Sequence, residues 1–220
     1  MSAVARKTAV VVWGASGHAR VVADILRLMG RYRIRGFIDD VNASRRGEAF
    51  CGARVLGGQE QLDALLENGF RHMILAFGDC RQRLRLAEFA SKKGFTLVTA
   101  VHPRATVAGD ARLGAGTVVA AGAVVNPAAR IGKVVIVNTS ASVDHECEIE
   151  DGAHIAPGAR LAARVSVGRG AWVGIGAAIK EGVRIGSGAV VGAGSVVLED
   201  IAPDVVAYGA PARTVRPTGI

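Results

Sequence analysis

Asp144-His145-Glu146 sets a histidine between two carboxylates. An imidazole titrates near neutral pH and can move a proton during a reaction. A neighbouring carboxylate fixes its tautomer and stabilises the imidazolium. In a flat strand Asp144 and Glu146 share one side and His145 faces the other, so alternation alone leaves either acid as the partner. A second chemical group is Gly14-Ala15-Ser16-Gly17-His18, between an apolar run and a helical stretch. Its glycines allow close approach of a phosphate, and a helix N-terminus supplies N–H donors. Asp39 and Asp40 stand about where the acid of a dinucleotide fold meets ribose. The loop has only G-x-x-G and lacks G-x-G-x-x-G, so a mononucleotide-type ligand is expected rather than NAD. Cys51, Cys80 and Cys147 show no metal-like spacing, so no metal is implied, and their scarcity suits a reducing compartment.

The elements that position these groups are marked by a repeat. Every sixth residue from Val107 to Val197 is Val, Ile or Leu, sixteen positions in succession. Four residues after each comes a second lane of small residues, among them Ala123, Ala129, Ala141, Cys147, Ala153 and Ala159. A period of six fits neither an α-helix nor a hairpin stack. It fits a triangular coil of three hexapeptides, each one flat strand and one turn, with coils stacked as parallel strands about 4.8 Å apart. Val143 and Cys147 occupy the two inward lanes, so His145 and Glu146 fall at a corner and point outward. That phase makes Cys147 a core residue and not a nucleophile.

The first half alternates strand and helix. Residues 8–13 read as a buried strand, 21–30 as a helix, 34–40 as a second strand, 64–70 as a helix, 72–78 as a third strand, and 81–95 as an amphipathic helix with Lys92 and Lys93 in its last turn. Such alternation implies an α/β Rossmann-like parallel sheet with helices on its faces. The expected organisation is residues 1–100 for this unit, 101–202 for the prism and 203–220 for a tail that caps the last coil's open strand edges.

At 220 residues the chain can bury most of its apolar surface without disulfides. Half of it is hydrophobic but only 5% aromatic, with 29 glycines, so the core is aliphatic and the turns are tight. This excludes a disordered chain or a disulfide scaffold. The net charge of +8 suits an anionic ligand, but the arginines are scattered without interleaved aromatics, so nucleic acid is not expected. No run of 18 apolar residues is present, so no membrane span is expected. The N-terminus reads as a first strand and not a signal peptide, which makes the expected location cytoplasmic.

The GASGH loop, a strand ending in Phe37-Ile38-Asp39-Asp40, a strand ending in Gly78-Asp79 and a hexapeptide prism occur in that order. In combination they resemble the bacterial nucleotide-sugar N-acetyltransferases that acetylate a 4-amino sugar, and the related sialic acid O-acetyltransferases, both of the hexapeptide-repeat acyltransferase superfamily. The similarity covers essentially the whole chain, and residues 138–149 are its most specific part. The resemblance implies a left-handed parallel β-helix, acetyl-CoA as co-substrate, a nucleotide-linked 4-amino-4,6-dideoxy sugar as acceptor, and a homotrimer with intersubunit sites. Flat apolar faces closing around a threefold axis agree with the trimer. It also implies His145 as general base, Glu146 as the acid that raises its basicity, and Asn138 near the sugar amine. His154, or its backbone, lies at the thioester end. The backbones of Ala163, Ile175 and Ala193 run along the pantetheine arm, although the family often has glycine at two of these places. Ser16, Gly17, His18, Asp39, Asp40 and Gly78 map onto the nucleotide site. Several relatives carry an Asn pair where this chain has Asp79-Cys80, which leaves UDP, dTDP and GDP open. Arg83 is a candidate phosphate contact, and Arg213 or Arg216 a candidate for a CoA phosphate. The rival readings are O-acetylation of a sialic acid-like sugar and a non-catalytic nucleotide-sugar-binding scaffold.

Overall fold

A computed structural model describes residues 7–219. The β-branched run Thr8–Trp13 (β1) is buried along most of its length, as a central parallel strand must be. Gly17–Leu28 (α1), Tyr32–Ile38 (β2), Ala49–Phe50 (β3), Ala53–Gly57 (β4), Leu62–Glu67 (α2), His72–Leu75 (β5), Cys80–Lys93 (α3) and Thr96–Leu97 (β6) follow. The sheet order is β3-β4-β2-β1-β5-β6, parallel throughout except for the β3–β4 hairpin. The sequence reading passes over that hairpin, because two residues at a sheet edge leave no periodic signal. The loops after β1, β2 and β5 leave the same carboxyl edge, so Gly14–Ser16, Asp39–Asp40 and residues 76–79 converge there.

From Ala100 on, two-residue strands recur every six residues. Their partners are eighteen residues apart: Val119 with Val101 and Val137, Val143 with Val125 and Leu161, Ile149 with Ile131 and Val167. Three repeats therefore close one coil, and the coils stack into three parallel sheets, the triangular prism expected from the period and the left-handed parallel β-helix that the resemblance implies. The aliphatic and small lanes form one core. Coils approach so closely that a Cβ on Gly174 would lie 2.5 Å from the Val191 carbonyl oxygen, which is why glycine follows the aliphatic residue there. Val205–Gly209 and Ala212–Pro217 add an antiparallel hairpin to the end of one side of the prism. No helix among the described residues is long and apolar enough to cross a membrane.

The three sides of the prism are not equivalent. The residue before each inward aliphatic points outward. On one side it is mostly a solvated charge, as at Arg112, Arg130 and Glu148, and on a second it is mixed, with Arg160 exposed. On the third side it runs Ala100, Val118, Ile136, His154, and all four are buried. Ala100, Val118 and Ala120 share a core with Val22, Ile25 and Ile74 of the α/β unit. This side is the one the α/β unit covers, and the seam between them holds His154.

Candidate active site

The corner 144–147 is held from within. Val143 and Cys147 are fully buried on either side of it. The Cys147 thiol bonds the Ala162 carbonyl at 3.1 Å, and burial raises its pKa, so it is an inert core group. Asp144 Oδ1 accepts from Asn126 Nδ2 at 2.8 Å and from the His145 backbone N–H at 2.7 Å. These bonds keep its carboxyl below the usual range. The His145 ring turns to Glu146 instead, with Nδ1 3.0 Å from Oε2. With the Nδ1 proton on that carboxylate, Nε2 is left as the basic nitrogen, on a side chain 47% exposed. The alternation that left both acids open is broken because Glu146 is left-handed (φ 59°), a conformation glycine fills at corners such as Gly152 and Gly158.

A second cluster lies in the seam. Asn138 Oδ1 accepts the Thr139 N–H at 2.8 Å, which orients the amide. Its Nδ2 then donates to His154 Nε2 at 3.1 Å, so the His154 proton sits on Nδ1. The ring is 5% exposed and rests against Trp172, centroids 4.4 Å apart. Burial first, then the charges of Arg83 and His18, push its pKa down to about 3, while the Gly78 carbonyl acts the other way. A Cβ on Gly78 would lie 3.7 Å from Trp172 and 3.9 Å from His154, so the loop after β5 closes over this pair. His18, in the first turn of α1, has a buried Nε2 without a partner, and burial and then Arg83 lower its pKa to about 4.

Of the residues expected to bind the nucleotide, Ser16, Asp39 and Asp40 line a cavity of about 290 Å³ together with Trp13, Arg45 and Phe77, whereas Gly17, His18 and Gly78 do not line it. Gly14 is required there, because a Cβ would lie 2.7 Å from the Ala76 carbonyl oxygen. Ser16 is the N-cap of α1 and its side chain makes no cap bond; Gly17 faces open space. Asp39 is buried, with Oδ1 capping the Val41 and Asn42 N–H groups and Oδ2 paired with Arg45 at 3.0 Å. Asp40 is exposed and held by the Trp13 indole N–H at 2.7 Å and the Gln59 N–H at 2.6 Å. Arg45, thirty residues along the chain, also bonds the Ala15 carbonyl at 2.6 Å. Sequence reading missed Arg45, because only the fold brings it to the loop.

Arg83 corrects an expectation. It is 1% exposed and lines no part of the nucleotide cavity. Its N–H groups bond the carbonyls of Phe77, Gly78, Val134, Gly152 and Ala153, which leaves no donor for a phosphate. The signal was present in α3: Cys80, Arg83, Ala87 and Ala90 form the buried helical stripe, and Arg83 is its one charge. Trp172 was likewise passed over in the sequence.

The structure does not bring all candidates together. His145 and His154 are separated by one side of the triangle, on the order of 15–20 Å for a six-residue repeat. Ala163 stacks one eighteen-residue coil beyond His145, whose carbonyl accepts the Arg164 N–H at 3.0 Å. Ile175, 60% exposed, and the exposed Ala193 lie one coil apart on the corner that also carries Asn138 and Thr139. Arg213 comes within 4.0 Å of Glu199, and Arg216 bonds the Pro217 carbonyl at 3.1 Å.

Known proteins share this arrangement. Residues 9–89 match the family described as PglD N-terminal domain, and residues 164–199 match bacterial transferase hexapeptide (six repeats). The structure of a perosamine N-acetyltransferase from Caulobacter crescentus, in complex with CoA and GDP-perosamine, is 40% identical. The match covers 94% of this chain and 96% of that one, with a TM-score of 0.90. The acetyltransferase domain of PglB from Neisseria gonorrhoeae, in complex with acetyl coenzyme A, is 36% identical over 96% of this chain and 100% of that one, with a TM-score of 0.89. WeeI from Acinetobacter baumannii is 26% identical, covering 94% and 99%, with a TM-score of 0.84. No curated protein sequence matches the chain.

Proposed function

The chain belongs to the bacterial nucleotide-sugar N-acetyltransferases of the hexapeptide-repeat superfamily, and from that premise we propose how it works. It transfers the acetyl group of acetyl-CoA to the 4-amino group of a nucleotide-linked 4-amino-4,6-dideoxy sugar. The amine nitrogen attacks the thioester carbonyl carbon. His145 Nε2 takes the proton that the nitrogen must lose, while Glu146 holds the Nδ1 proton and stabilises the imidazolium. The C–S bond then breaks, the His145 imidazolium gives its proton to the sulfur, and CoA leaves as the thiol. Backbone N–H groups stabilise the oxyanion. Asn138 stands by the amine, and the Ala163, Ile175 and Ala193 backbones follow the pantetheine arm. The nucleotide occupies the cavity at Ser16 and Asp40, with Asp39 fixing the turn behind Asp40, and Gly17, His18 and Gly78 border it toward the seam.

The observation that carries this reading is the His145–Glu146 pair, 3.0 Å apart on an outward corner between the buried Val143 and Cys147. A trimer follows from the same geometry. His145 and the Asn138–His154 pair occupy different corners of one prism, so a single site needs the corner of a second copy, and closure by threefold symmetry gives three such sites. The reaction draws on acetyl-CoA, which places it in the cytoplasm. Thiol release from acetyl-CoA over GDP-, UDP- and dTDP-linked 4-amino-6-deoxy sugars tests the reading, with free sialic acid for comparison. The GDP sugar comes first because a 40% identical relative holds GDP-perosamine. Release on one nucleotide amino sugar is expected. Release on the free acid sugar alone would assign O-acetylation, and silence on every acceptor would leave a binding scaffold.

A further inference from the structure

We infer that Arg83 is a positioning residue for acetyl transfer, a buried clamp that holds the nucleotide-side loop at Phe77–Gly78 in register with the prism corner carrying His154. The inference rests on the N-acetyltransferase reading for its kinetic part only.

A guanidinium has five N–H donors in a fixed fork. In Arg83, Nη1 bonds the Phe77 and Gly78 carbonyls at 3.1 and 2.7 Å, on the nucleotide side. Nε bonds Val134 at 2.8 Å, and Nη2 bonds Gly152 and Ala153 at 2.7 and 3.3 Å, on two successive coils of the prism. One side chain thus ties both halves of the chain at the place where Gly78 closes over His154 and Trp172. A buried cation is costly without a counter-ion, and among the described residues no carboxylate touches this one. Aliphatic packing would hold the seam at lower cost, so the retained charge points to a task.

The task is legible in what surrounds it. The titratable and charged groups facing His154 are Arg83 from α3 and His18 from α1; Cys80 and Asp79, at the start of α3, face Arg83. A fixed positive charge disfavours protonation of both imidazoles. A neutral His154 keeps Nε2 as the acceptor for Asn138, and so keeps Asn138 in place beside the acceptor amine. A protonated His154 would present an N–H to the Asn138 amide N–H and break that bond. Arg83 thereby divides the labour: His145 is left as the imidazole that takes the proton, and His154 is confined to holding geometry.

Two substitutions separate the fork from the charge. Arg83→Lys keeps the charge and loses the fork. Arg83→Gln keeps two N–H donors and loses the charge. For Lys, kcat is expected to fall about 10–100-fold, since small misplacements of reacting groups cost that much. The nucleotide-sugar KM should rise and the acetyl-CoA KM stay within about twofold. The C2–H resonances of His154 and His18 should remain unshifted from pH 8 to 5. For Gln, burial still holds both rings neutral but the second cause is gone, so those resonances should begin to move at a higher pH than in the wild type, and activity should drop more steeply on the acid side.

Folding is checked by urea midpoint. If both variants fold and keep kcat and nucleotide-sugar KM within twofold of the wild type, the clamp is refuted. If both fail to fold, the wild type decides through the same resonances, identified by their loss in His154→Asn and His18→Asn; titration of His154 near 6.5 overturns the inference. If the wild type acetylates no amino sugar, the functional reading fails, while the resonances of Arg83→Gln still decide whether this charge governs the two histidines.

Discussion

Glu146 occupies a left-handed corner at φ 59°, where an L-residue with a side chain is strained by roughly 1–2 kcal/mol. Replacing it by glycine removes that strain but adds back-bone freedom to the unfolded chain worth about 0.5–1 kcal/mol. The net expectation is a stability equal to or slightly above the wild type. Glu146→Ala keeps the strain and loses the carboxylate, so the glycine variant should exceed the alanine variant by about 0.5–1 kcal/mol. The ion pair of Glu146 with Arg164, at 3.7 Å between exposed side chains, adds nothing measurable to this comparison. In turnover the two variants should behave alike. Both lose the acceptor 3.0 Å from His145 Nδ1, and kcat should fall about 10–100-fold, less than at a buried triad because the pair is half exposed. Urea midpoints at one protein concentration measure the first effect, and thiol release at saturating substrates the second. Fully active Glu146→Gly would refute the orienting role, and a glycine variant weaker than the alanine variant would refute the strain account.

His145→Ala should lower kcat about 10²–10⁴-fold, read as thiol release at neutral pH, and an unchanged rate would remove the general-base role. His154 and His18, held at about 3 and about 4 in the folded chain, lie below the unfolded value of 6.5. The unfolded chain therefore binds more protons below pH 6.5, and stability should be full above 6.5 and fall as pH drops from 6.5 toward 4. Urea midpoints across that range test this, and a flat profile would contradict it. The two tryptophans report on separate places, Trp13 beside Asp40 in the nucleotide cavity and Trp172 on His154. Fluorescence of Trp172→Phe should respond to the nucleotide sugar and that of Trp13→Phe to acetyl-CoA, and a response to the opposite ligand alone would misplace both sites.

Short-range periodicity explains what could be read in advance. A six-residue repeat fixes which side chains point inward, because each coil must bury the same two lanes against its neighbours. That phase places Cys147 in the core and His145 and Glu146 on an outward corner. It does not say which of the three sides is covered, since that depends on a different set of positions. Ala100, Val118, Ile136 and His154 carry this information at a period of eighteen, and only when they are aligned does His154 stand out as the polar member of a buried lane. Arg83 and Arg45 lay beyond reach for another reason. Their partners are carbonyls as far as seventy residues away, and a backbone carbonyl has no sequence signature.

The same distinction bears on how the site is divided. The proton-handling pair, His145 and Glu146, is contiguous in sequence and belongs to one corner, so it is encoded locally and tolerates exposure. The group that holds geometry, Asn138 with His154, Trp172 and Gly78, spans four segments and is locked by burial. In the proposed reaction the base must reach both the amine and the departing sulfur, which requires an open corner. A neutral hydrogen-bonded pair must not exchange its role, and exclusion of water enforces that. The corner and the seam therefore answer opposite demands, and a prism with one covered side and two open ones supplies both environments. Since they lie a full side apart, the proposed reading has a second copy of the chain bring an open corner to the covered seam, so that subunit association and assembly of the catalytic group are the same event.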